Sequence, residues 1–122
     1  MRKLICLLAL IVIILPSCGA KKTIEVVYYI DTNVPTFTCV TGIEGTRRDT
    51  DDIKIYTYKC DKSKTSELAD EYMNYLKEEH SYTVVESNDD YEYITLVKEG
   101  NGVVVDASTE GEIKILPYRR IN

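Results

Sequence analysis

His80 is the single histidine of this 122-residue chain, and it is the first place to look for chemistry. A catalytic imidazole needs a nucleophile and an orienting acid, and a zinc site needs further strong ligands. No H-E-x-x-H, paired-histidine spacing or G-x-S-x-G elbow accompanies it. It closes an amphipathic stretch, where the helix dipole favours a cation, and is expected as a cap or surface residue. Asp49, Asp51 and Asp52 crowd one segment, and Asp89 and Asp90 another. As an EF-hand starting at Asp49, the first segment would put Lys54 at the glycine position and Cys60 at the closing glutamate, so both segments read as solvated turns. Cys39 and Cys60 lack the C-x-x-C spacing of a redox dithiol. The chain is therefore expected to hold no metal and no cofactor and not to be an enzyme.

Tyrosine is the unusual component: ten Tyr stand against one Phe and no Trp. The phenol joins a large apolar ring to a hydroxyl that tolerates water, which suits the rim of a small core and a contact surface equally. Tyr56 and Tyr58 share one strand face by their i, i+2 spacing, and Tyr91 and Tyr93 share another. Together they are candidates for an aromatic ligand surface, facing a glycan or a partner's side chains. The alternative is that the rings form cross-strand pairs that stabilise a sheet without any ligand.

The elements that would position these residues are legible from periodicity. A β-rich run covers 24–30, a turn 31–35 and a short strand 36–40. Residues 42–52, with two glycines and mixed charge, read as an exposed loop. Residues 53–60 alternate Ile53, Ile55 and Thr57 against Tyr56, Tyr58 and Cys60, a strand pattern. Leu68, Tyr72, Tyr75 and Leu76 then fall on one stripe of a helix that starts under a cap from Ser63, Thr65 or Ser66 and ends near His80. Strands are expected at 82–86, 91–98, 102–107 and 112–116, joined by connections too short for parallel crossovers. The fold class is α+β. One amphipathic helix packs on a mostly antiparallel sheet of about five or six strands, in the order β-β-α-β-β-β-β, and the sheet's other face is left as a working surface.

The N-terminus carries a different kind of information. Met1-Arg2-Lys3 precedes an unbroken apolar run over 4–15, twelve residues where a membrane span needs about 20. A basic start, an apolar middle and a small-residue exit form an export signal. Leu15-Pro16-Ser17-Cys18-Gly19 resembles the lipobox of bacterial lipoproteins. That resemblance implies removal of residues 1–17, acylation of Cys18 on sulfur, a short tether over 18–23 and one small domain over 24–122. The protein would be held by lipid at the cell membrane, facing away from the cytoplasm. The exported address also implies a compartment where disulfides persist. With Cys6 removed and Cys18 acylated, Cys39 and Cys60 are the remaining pair and are expected to be bridged. The stretches 40–43, 55–59 and 69–76 are similar to small, uncharacterised lipoprotein domains of Gram-positive bacteria, a resemblance that implies no activity.

Charge narrows the partners. The whole chain carries a net −5; losing Arg2 and Lys3 leaves thirteen basic against twenty acidic side chains, or −7. Nucleic-acid binding needs a basic patch or stripe, whereas Arg47-Arg48 and Arg119-Arg120 are only doublets, so no nucleic-acid partner is expected. The expected partners are the membrane, through Cys18, and an envelope protein, with a carbohydrate or cell-wall glycan as the alternative.

Overall fold

The computed structural model describes residues 24–88 and 92–119. A short helix α1 (Phe37–Thr41) precedes the hairpin β1 (Gly45–Asp49) and β2 (Lys54–Lys59). A single 3-10 turn (Lys62–Lys64) leads into the long helix α2 (Thr65–His80). Four strands follow: β3 (Thr83–Ser87), β4 (Tyr93–Lys98), β5 (Asn101–Thr109) and β6 (Glu112–Arg119). All six strands join one sheet in the order β1-β2-β6-β5-β4-β3, and every pairing is antiparallel. The molecule is thus α+β, with one main helix on an antiparallel sheet.

Two expectations about the strands are corrected. Residues 24–30 and 36–40 contribute no strand to the sheet; the first carries only an isolated bridge between Tyr28 and Pro35. Residues 37–41 are helical because local capping outweighs the β-propensity of a five-residue run. The Thr36 side chain accepts the Cys39 N–H at the start, and Gly42 takes the left-handed conformation, φ 83°, at the end. Conversely, the expected loop 42–52 contains β1. Thr50 closes its turn by donating both its N–H and its hydroxyl to the Ile53 carbonyl.

The helix is placed by topology as well as by its stripe. β2 and β3 run parallel, four strand spacings apart, about 19 Å across the sheet. The sixteen residues of α2 extend about 24 Å, enough to return the chain diagonally beneath the sheet. Its buried side chains are Thr65, Ala69, Tyr72, Met73 and Leu76, with Leu68 and Tyr75 at the margin. They meet the inner sheet face, where Leu96, Val103, Val105, Ile113 and Ile115 are buried. No side chain caps its start. Thr65, expected among the caps, instead donates its hydroxyl to Lys62 O (3.1 Å) and accepts the Gly111 N–H (2.7 Å), tying the β5–β6 turn to the helix. At the other end Ser81 takes a left-handed conformation, and its N–H reaches Leu76 O.

Candidate interaction surfaces

Antiparallel register decides which side each tyrosine faces, because directly opposed residues lie on the same face of a sheet. Tyr56 opposes Ile115 and Tyr58 opposes Ile113, both buried. Tyr56 and Tyr58 therefore point inward. Tyr58 packs on Phe37 with ring centroids 4.6 Å apart, and Tyr56 lies 4.3 Å from the Tyr29 ring, tilted by 45°. Tyr93 opposes Asp106, which opposes Lys114, which opposes Thr57. It thus sits on the outer face, two strands beyond β6. The expected pairing of Tyr56 and Tyr58 with Tyr93 on one aromatic platform is not what the sheet builds; Tyr91 lies outside the described residues.

The inward tyrosines instead floor a groove of about 460 Å³ between residues 27–30, α1 and the first hairpin, with Glu44 and Arg47 on its walls. Tyr29 organises it. Its hydroxyl oxygen accepts the Phe37 N–H at 3.0 Å and lies 2.6 Å from the Tyr58 hydroxyl. Burial pushes the Tyr29 phenol far above its ordinary value and pushes Tyr58 up to about 12. Both phenols therefore stay protonated near neutral pH.

The outer face has a different character. Ile55, Val97, Val104 and Leu116 lie half-buried on it. Leu116 opposes Val104, and Val104 opposes Thr95, so the apolar residues run across the middle of the sheet. Gly102 opposes Tyr118, and a Cβ there would sit 2.3 Å from the Tyr118 ring, which shows the ring lying flat over the glycine. Toward the other end, Glu112 accepts a hydrogen bond from Lys59 Nζ at 2.6 Å and pairs with Lys114 at 3.5 Å. These two ammonium groups hold its carboxyl below the usual carboxylate range. The result is an apolar strip bordered by charge, with no described element lying over it.

His80 terminates α2 as expected. Its Nε2 lies 3.0 Å from the Tyr75 hydroxyl, and the Tyr28 ring meets it edge-on. Burial, with the charge of Lys98, lowers its pKa despite Glu79, so the environment opposes the cationic state that the helix dipole favours. Of the acidic segments, Asp49 pairs with Arg47 at 3.3 Å, while Asp89 and Asp90 lie outside the described residues. Among the described residues no three His, Cys, Asp or Glu side chains gather as metal ligands.

The expected Cys39–Cys60 bridge is not formed; both are free thiols. The physical reason is that the two thiols face different partners. Cys60 Sγ lies 3.8 Å from the Thr65 hydroxyl at the start of α2, while Cys39 Sγ lies 3.2 Å from Thr36 O and 3.8 Å from Val27 O. Cys18 lies outside the described residues. No described helix is long and apolar enough to cross a membrane.

Sequence reasoning placed the working surface on the Tyr56 and Tyr58 side of β2. The signal for the other side was the same alternation, since Ile53 and Ile55 make its second face apolar too. Tyr29 was missed as an organiser because 24–30 read as a uniform strand. Compared with known proteins, the chain matches no family model, no curated protein and no solved structure.

Proposed function

We propose that this chain is a lipid-anchored domain of a bacterial cell envelope, without catalytic activity, that binds another protein through the outer face of its sheet. The observation that carries this reading is the apolar strip of Ile55, Val104, Leu116 and Val97 with the Lys59, Glu112 and Lys114 cluster at its end. A contiguous apolar centre with a charged rim is the usual anatomy of a protein interface. The anchor rests on the lipobox-like stretch ending at Cys18. Glycan binding, the alternative, calls for neighbouring rings in one plane. The exposed outer-face rings, Tyr93 on β4 and Tyr118 on β6, stand two strand spacings apart across β5 and several residues apart along the strands, too far to form one stacking platform.

The test uses the full chain in its native membrane, with a photo-crosslinking residue at Thr95 on the outer face. The expected result is one discrete polypeptide adduct that is lost on Leu116→Lys and does not form from a probe at Lys77 on α2. Glycan adducts, or equal labelling from both positions, would overturn the reading. Cys18→Ala tests the anchor separately, since the protein should then leave the membrane fraction.

A further inference from the structure

Residues 24–35 belong to no strand of the sheet, yet 27–35 are tied together and to the fold by hydrogen bonds. Tyr29 N–H donates to Val34 O at 2.9 Å, Thr36 N–H to Val27 O at 2.7 Å, and Asn33 N–H to Asn101 Oδ1 at 3.0 Å. Two helix-side phenols reinforce them, with Tyr72 donating to Pro35 O and Tyr82 to Asn33 O. The apolar side chains of this strap divide sharply. Tyr29 and Val34 enter the core, whereas Val27, Tyr28 and Ile30 are 54%, 47% and 51% exposed. Three large apolar residues within four positions thus stay outside the core, at the edge of the groove, with Tyr28 meeting the His80 ring edge-on.

The position of the strap in the chain selects what meets them. Five residues lie between Cys18 and Ile24, and the six-residue step from one to the other spans about 20 Å at full extension. Lys21 and Lys22 fall within that interval, and cations beside an anchor favour an anionic bilayer surface. A tyrosine ring is suited to headgroup depth, with its body in the apolar boundary and its hydroxyl in water. We propose that Val27, Tyr28 and Ile30 form a membrane-contact patch that enters the headgroup region of an anionic bilayer. This inference rests on the lipid-anchored reading. The strap packs against Tyr56, on the inner side of the sheet, so contact there leaves the outer face free for a partner.

Because the chain has no tryptophan, Tyr28→Trp introduces a single fluorescent reporter at an exposed site. The full chain is purified from its membrane and reconstituted into phosphatidylcholine and phosphatidylglycerol vesicles bearing brominated acyl chains, alongside Tyr93→Trp as the outer-face control. The expected result is a blue-shifted indole emission from the Tyr28→Trp variant that the bromine quenches, with Tyr93→Trp unquenched. Mass spectrometry of the same preparations reads acylation of Cys18. An acylated protein in which both reporters are quenched equally or not at all overturns the patch and leaves the anchor standing. An unacylated Cys18 overturns the anchor, and in that case the patch survives only if Tyr28→Trp is still selectively quenched.

Discussion

The hydroxyl oxygens of Tyr29 and Tyr58 lie 2.6 Å apart, and the Tyr29 oxygen also accepts the Phe37 N–H at 3.0 Å. One phenol thus ties the N-terminal strap to β2 and to the first turn of α1. Tyr29→Phe removes both contacts and leaves a buried N–H without its acceptor, a cost of about 1–3 kcal/mol. Tyr58→Phe spares the Phe37 bond and should cost less. Urea unfolding should rank the midpoints as wild type, then Tyr58→Phe, then Tyr29→Phe; the reverse order of the two variants would contradict this role for Tyr29.

Alkaline pH should unfold the protein through its buried phenols. Burial pushes Tyr58 and Tyr82 up to about 12 and raises Tyr29 and Tyr72 as well. The unfolded chain ionises near the ordinary value of 10.0, so the folded state holds these protons more tightly. Their contribution is complete below that pH and is lost as the pH rises toward and past the folded values. Phenolate absorbance should show the buried tyrosines ionising together with loss of circular dichroism. Ionisation of all ten tyrosines with the fold intact would refute this role for burial.

Two glycines under aromatic rings should respond differently to alanine. A Cβ at Gly45 would stand 2.5 Å from the ring of Tyr58, which is buried, and 2.6 Å from Thr57 O. At Gly102 the obstruction is Tyr118, whose side chain is on the surface and can move aside. Gly45→Ala should therefore carry an overpacking cost of about 1–3 kcal/mol, and Gly102→Ala a smaller one. Thermal melting of the pair decides the point, and equal losses would count against it.

The Thr65 hydroxyl joins three parts of the chain, since it binds Lys62 O and Gly111 N while Gly111 O accepts the Cys60 N–H at 2.9 Å. Thr65→Val keeps the shape but leaves the Gly111 N–H without this acceptor, a loss of about 1–3 kcal/mol. Thr65→Ser should recover most of it. Faster amide exchange at Gly111 in the valine variant alone would locate the effect; unchanged exchange would mean that the turn is held by other contacts.

Much of the element pattern was legible because its causes are local. The stripe of Leu68, Tyr72 and Leu76 marked α2 through to His80, and alternation bounded by glycine and polar turns marked the last four strands close to where they lie. The errors fall where a local signal was weak or two signals competed. The run 36–40 has strand-forming side chains but also a capping threonine and a terminal glycine, and the caps prevailed. The hairpin partner of β2 was hidden because Gly45–Asp49 is exposed throughout and so shows no apolar alternation.

By itself, then, the sequence determined that one amphipathic helix interrupts a run of antiparallel strands, because helix and hairpin signals act between near neighbours. It could not determine which face of β2 would be buried, since Tyr56 with Tyr58 and Ile53 with Ile55 are both apolar sets. Only the pairing of β2 with β6, far along the chain, and the diagonal return of α2 beneath them turned the tyrosines inward and left Ile55, Val104 and Leu116 on the open side. The free state of Cys39 and Cys60 has the same origin: the packing seats Cys60 beside Thr65 at the start of α2 and Cys39 against Thr36 O and Val27 O. Chain spacing carries no information about such distances.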